Sequence, residues 1–131
     1  MTEYLSVDQV LALHRDLVRI FGGSTGLRDR GALESAVARP TMTFDGDDLY
    51  VDLAAKAAAP MHSLVLNHPF ADGNKRVGVA AAEFFLEYNG QGINTTDEEL
   101  EAITMSVAEG KLEVEALAIW IRQRLTEQLS S

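Results

Sequence analysis

The chain has 131 residues, 47% hydrophobic and 24% charged, which suits one domain with its own core and excludes wholesale disorder. It contains no cysteine, so disulfide scaffolds, zinc–thiolate sites and thiol nucleophiles are all excluded. Eleven Lys and Arg stand against twenty Asp and Glu, a net charge of -9; nucleic-acid affinity rests on neutralising phosphates, which disfavours a general DNA or RNA binder.

In chain order, Met1-Thr2-Glu3-Tyr4 lacks the basic start and apolar stretch of a secretory signal. No apolar run approaches the ~20 residues of a membrane helix, so a soluble cytoplasmic protein is the expectation. Ser6-Val7-Asp8-Gln9 fits a capping box. It opens a predicted helix with Val10, Leu13, Leu17 and Phe21 on one face, stopped by Gly22-Gly23. A second short helix is predicted from about Asp29, carrying Ala32, Leu33, Ala36 and Val37 and closed by Pro40. Residues 41–50 are polar and acidic, and Phe44-Asp45-Gly46-Asp47 reads as the tip of a small hairpin.

An alanine-rich helix is predicted from about Val51 to Asn67, burying Leu53, Ala57, Met61, Leu64 and Val65, with a kink or restart at Pro60. A loop from His68 to Gly73 leads into a helix from about Asn74 to Tyr88, closed by Asn89-Gly90. Its centre, Val77 to Leu86, is apolar nearly all round, which assigns it to the middle of the molecule. Thr96-Asp97-Glu98-Glu99 is a second capping box, opening a helix that ends at Gly110. A last amphipathic helix carries Val114, Leu117, Ile121 and Leu125. The predicted fold class is all-α: one domain over residues 1–131, about six helices around a central apolar one, with a small hairpin.

One segment breaks the pattern, Asn67-His68-Pro69-Phe70-Ala71-Asp72-Gly73-Asn74-Lys75-Arg76. Connections of this kind are normally bland and polar. Here an imidazole, a carboxylate, a glycine, an amide and two cations crowd together, and each answers a need of phosphate chemistry. Gly73 at a helix entry lets backbone amides approach a ligand, and a helix N-terminus attracts anions. Lys75 and Arg76 sit where the macrodipole opposes cations by several tenths of a kcal/mol, a sign that a bound anion reverses. Asp72 can cap the helix or hold magnesium beside phosphate oxygens. His68 can act as general base on a hydroxyl, and Phe70 can pin the loop to the core. Taken singly each has a plainer explanation: a helix cap for Asp72 or Asn74, an exposed histidine, a solvated pair of cations. Their order and closeness point to a site.

The segment from His68 to Arg76 resembles the signature loop of the Fic/Doc superfamily in its death-on-curing (Doc) form, which has lysine where the adenylylating branch has glycine. Gly26-Leu27-Arg28-Asp29, Ala32-Leu33-Glu34-Ser35-Ala36-Val37 and Pro40 are similar to the N-terminal half of that family. The resemblance implies a Fic fold of about six helices. It implies transfer of part of ATP, with Mg²⁺, to a protein hydroxyl. His68 would be the base, Asp72 the metal ligand, Gly73, Asn74, Lys75 and Arg76 the phosphate holders, Phe70 the loop anchor, and residues 41–50 the flap that docks a target. With Lys75 in place of glycine and Val79 in place of a second arginine, it implies phosphoryl rather than adenylyl transfer. The implied target is a threonine of elongation factor Tu, whose modification stops translation. Neither Thr41 to Asp45-Gly46 nor Thr95 to Glu99-Leu100 completes the family's self-inhibitory motif, so inhibition is expected from a separate antitoxin. The alternatives are an adenylyltransferase, a nucleotide- or protein-binding module without turnover, and a histidine metal site using His62 and His68.

Overall fold

The computed structural model describes residues 1–127. Helix α1 (Val7–Phe21) opens with the complete capping box: Ser6 Oγ accepts from the Gln9 amide and Gln9 Oε1 accepts from the Ser6 amide. Helix α2 (Arg30–Ala38) is capped by Asp29, which accepts from the Ala32 amide at 3.0 Å, and runs into a 3-10 turn over Arg39–Thr41. Strands β1 (Thr43–Phe44) and β2 (Asp47–Asp48) pair antiparallel. Between them Asp45 (φ 53°) and Gly46 (φ 86°) are both left-handed, the conformation that a two-residue Asp-Gly hairpin turn demands.

Helix α3 (Leu53–Asn67) occupies the middle, with every residue from Ala54 to Val65 buried, and packs against α2 and the helices that follow it. The central place predicted for residues 77–86 therefore belongs to α3. Helix α4 (Asn74–Tyr88) buries Val77, Gly78, Ala81, Ala82, Phe85 and Leu86 but leaves Glu83, Phe84, Glu87 and Tyr88 exposed. The reason is size and charge: five alanines between residues 54 and 59 make α3 thin enough to be approached from every side, whereas two glutamates mark an outward face on α4. Helix α3 also runs unbroken through Pro60, against the predicted restart. An interior proline costs ~3 kcal/mol, and packing on all faces of α3 offsets that cost and keeps the helix continuous.

Helices α5 (Asp97–Ala108) and α6 (Val114–Arg122) close the molecule. The last helix is shorter than predicted: Leu125 leaves it for strand β4 (Leu125–Glu127), antiparallel to β3 (Gln91–Ile93). Three-residue strands show too little alternation to be recognised by pattern. The larger core cluster lies on α3, α4, α5 and α6. A smaller one, comprising Val10, Leu33, Ala36, Leu64, Phe70, Val77 and Ala81, joins α1 and α2 to the loop between α3 and α4. No described helix is long and apolar enough to cross a membrane.

Asp52 ties the two ends of this framework together. It caps α3 through the Ala55 amide at 2.9 Å and accepts two bonds from Arg122, at 2.7 and 3.1 Å. The hydrogen bond from Arg122 holds its carboxyl below the ordinary value. A carboxyl lowered on folding stabilises the fold above its unfolded pKa, about 3.9, and loses that contribution as pH falls through the lowered folded value. Asp52→Asn keeps the cap acceptor and removes the charge. Calorimetry across an acid series should therefore show the variant losing less melting temperature than the wild type below about pH 4.

Candidate active site

Helix α3 ends at His68, which adopts φ 49° and ψ 60°. Glycine or asparagine normally holds this left-handed position, and a residue with a β-carbon is destabilised there by roughly 1–2 kcal/mol. The strain turns the chain out of the helix and leaves the imidazole exposed, while Pro69 and Phe70 immediately after it are buried.

Three sets of contacts hold the loop in this course. Asn74, only 8% exposed, clasps Phe70: its Oδ1 accepts from the Phe70 amide and its Nδ2 donates to the Phe70 carbonyl, both at 3.0 Å. The same Nδ2 lies 3.4 Å from His68 Nδ1. On one side the α1–α2 connection runs along the loop. The Arg28 and Asp29 amides donate to the Pro69 carbonyl at 2.8 and 2.9 Å, the Ala71 amide donates to Gly26 O at 2.9 Å, and Leu27 stands opposite Phe70. In the core, Phe70 stacks on His14 of α1 with ring centroids 3.7 Å apart and planes 9° from parallel.

Helix α4 then begins at Gly73 (φ 75°), with no side-chain cap among the described residues. Its first backbone bond runs from the Val77 amide to Gly73 O, so the amides of Asn74, Lys75 and Arg76 open outward without an intrahelical acceptor. The plain-cap reading is thereby corrected for both candidates. Asp72 Oδ1 accepts from the Gly73 amide at 2.8 Å, one residue too early to cap the helix, and the Asn74 side chain is turned into the loop. Lys75 and Arg76 are exposed, and no described carboxylate pairs with either. The Arg76 guanidinium instead lies 4.6 Å over the ring of Phe21, at the end of α1. Two unpaired cations, three open amides and the positive end of a helix in an acidic chain form a site complementary to phosphate.

Asp72 is exposed, and its Oδ2 accepts no hydrogen bond among the described residues; it faces Gly23, where a Cβ would lie only 2.5 Å away. No cluster of three metal-ligating side chains exists among the described residues. A single carboxylate with Oδ2 open, beside two cations and a helix N-terminus, is compatible with magnesium, which commonly takes one or two carboxylates with nucleotide oxygens and water. The two-histidine metal site has no such support: His62 is buried and its ring donates from Nε2 to Leu112 O at 2.8 Å.

Two groups of supporting residues escaped sequence reasoning. His14 is one; a lone histidine on the apolar side of a helix carries no local signal. The other group fastens the β1–β2 hairpin. Arg39 donates to Tyr50 Oη at 2.6 Å and Ser63 Oγ at 2.8 Å, and Lys56 donates to Asp48 Oδ2 at 3.0 Å and Tyr50 O at 2.7 Å. Burial works against the Lys56 charge, but the Asp48 carboxylate it bonds and the neighbouring Tyr4 side chain outweigh that and raise its pKa. Only the buried lysine in an alanine-rich helix hinted at such a role. Glu99, from the incomplete inhibitory motif, is engaged by Thr95 at 3.0 Å and Arg124 at 3.7 Å.

A mostly helical body, with a His-to-Arg loop opening onto the mouth of its fourth helix, is the class of protein described so far. The chain belongs to the Fic/DOC family, whose model matches residues 4–86 and so takes in α1, the hairpin, the loop and most of α4. It is 49% identical over 90 residues to a protein named Toxin Doc from Mycolicibacterium smegmatis, covering 69% of this chain and 67% of that one. It is 28% identical over 120 residues to one named Protein kinase doc from Escherichia phage P1, covering 92% and 94% respectively.

Proposed function

We propose that this chain is a Doc-type toxin that transfers the γ-phosphoryl group of ATP to a protein hydroxyl. The observation that carries the reading is the uncapped N-terminus of α4, with Lys75 and Arg76 unpaired and the exposed His68 bonded to the same Asn74 that holds the loop. The name of the phage relative, Protein kinase doc, lends it further support.

In this reading a ring nitrogen of His68 takes the proton of the target hydroxyl as the oxygen forms its bond to the γ-phosphorus. The bond from that phosphorus to the bridging oxygen breaks, and ADP leaves with the electron pair. The amides of Asn74, Lys75 and Arg76 and the two cations hold the phosphates, and Gly73 lets the backbone come close. Asp72 would hold the magnesium ion of the nucleotide, which would supply charge neutralisation. Phosphoryl transfer asks mainly for such positioning and electrostatics. The target we propose is a threonine of elongation factor Tu, docked along the β1–β2 hairpin, which would place the chain in the bacterial cytoplasm. A separate antitoxin would restrain it.

Adenylyl transfer is the second reading. Lys75 counts against it, because a lysine stem fills the space that glycine would leave for a phosphate beside the backbone. So does Val79, which packs half-buried against the larger core where a second phosphate arginine would be needed. Incubation of the chain, Mg-ATP and elongation factor Tu with label on the γ- or the α-phosphate decides between them. We expect γ-label on a threonine, ADP as product, and an intact-mass gain of one phosphoryl group. Transfer of α-label would replace kinase by adenylyltransferase. ATP binding by calorimetry with neither label transferred would leave a binding module.

A further inference from the structure

His14 is a buried titratable group that phosphoryl transfer, as described, leaves unused. It is 2% exposed and lies 58 residues before Asp72 in the chain, yet its Nε2 is 2.7 Å from the Asp72 carbonyl oxygen. A carbonyl can only accept, so Nε2 carries the proton and the ring donates. The next residue rests on the same ring: a Cβ on Gly73 would lie 3.4 Å from that Nε2. Helix α1 then ends at Gly22-Gly23, and the absent side chain of Gly23 makes room for the Asp72 carboxylate. One helix thus governs both ends of Asp72. Packing on Phe70 asks only for a flat apolar ring at position 14, which phenylalanine would supply. An N–H aimed at this carbonyl is an additional feature, and the residue it holds is the only carboxylate of the loop.

We infer that His14 is a positioning residue: the hydrogen bond it donates to the Asp72 carbonyl sets the aim of the Asp72 carboxylate and the turn at Gly73. What that aim serves is the magnesium nucleotide of the proposed function, on which this assignment rests; the contact itself does not depend on it. Outer-shell hydrogen bonds of this kind typically change metal affinity 10- to 100-fold.

Two variants separate packing from donation. His14→Phe keeps a ring on Phe70 and loses the donor; His14→Gln keeps an amide N–H and loses the ring. Hydrogen exchange of loop amides 70–74 is read on the protein alone, and the Mg²⁺ half-saturation of phosphoryl transfer is read at saturating ATP. For His14→Phe, loop exchange should quicken about fivefold, the worth of one neutral hydrogen bond. Its Mg²⁺ half-saturation should rise about tenfold, with the KM for the protein target unmoved. His14→Gln should recover most of both despite a lower melting temperature. Wild-type exchange and Mg²⁺ requirement in the phenylalanine variant would overturn the assignment, as would effects that follow melting temperature instead of the donor. A wild-type chain that transfers nothing from Mg-ATP would remove the proposed function, and the exchange data alone would then decide the role of His14.

Discussion

Replacing His68 by alanine should slow phosphoryl transfer by about 10²–10⁴-fold, the usual contribution of a positioned base, and leave the fold intact. The side chain is exposed, and its one described polar contact is the 3.4 Å approach to Asn74, so little packing is lost with it. Its backbone is another matter. At φ 49° any residue with a β-carbon is strained by roughly 1–2 kcal/mol, and alanine would inherit that strain. Glycine would not, and His68→Gly should be as inactive as the alanine variant while melting no lower than the wild type. Transfer rates with γ-labelled ATP, beside thermal melts of the three proteins, check both halves. Alanine retaining a tenth or more of wild-type transfer would exclude His68 as the base.

The largest effect on stability should come from Gly78→Val. Helices α3 and α4 touch closely there: a Cβ would sit 2.6 Å from Val65 Cγ2 and 3.2 Å from the Met61 carbonyl oxygen. Val65 is β-branched and Met61 presents backbone, so neither can swing aside as a long side chain would. Overpacking of this kind costs about 1–3 kcal/mol and occasionally more, and valine also brings a stiff side chain into a helix. A drop in melting temperature of about 10 °C is expected, from the usual few degrees per kcal/mol in a chain of this length. Thermal unfolding followed by circular dichroism measures it. Because Val65 lies two residues before the end of α3 and Gly78 one turn into α4, the same insertion would also splay the two helices that frame the loop. Transfer should therefore fall even at temperatures where the variant remains folded.

Much of the architecture was legible without coordinates because it is written in local chemistry. Capping boxes at Ser6 and Thr96, glycines at helix ends and Asp-Gly in a turn act over a few residues. The candidate site was legible for a related reason: its groups lie within one short stretch, and cations at a helix mouth are out of place unless something anionic joins them. Other features were misread where the deciding neighbour lies elsewhere in the chain. Apolar content alone put residues 77–86 at the centre, yet thinness, not apolarity, lets α3 be surrounded. Pro60 reads as a break until the packing that outweighs its cost is in view. Leu125 fits the α6 period, and only its pairing with Ile93 makes it strand.

Composition and pattern were therefore sufficient for a mostly helical chain, its turns, and the choice of one loop as the candidate site, since periodicity, capping and charge are properties of neighbours in sequence. The bracing of that loop by His14, Asn74 and the stretch from Gly23 to Asp29, and the fastening of the hairpin by Arg39 and Lys56, came only with the tertiary structure. The His14 contact joins residues far apart along the chain, His14 and Asp72 being 58 positions apart. A hydrogen bond or a ring stack across such a separation leaves no imprint on the local pattern of either partner; it exists only once the core has brought the two helices together.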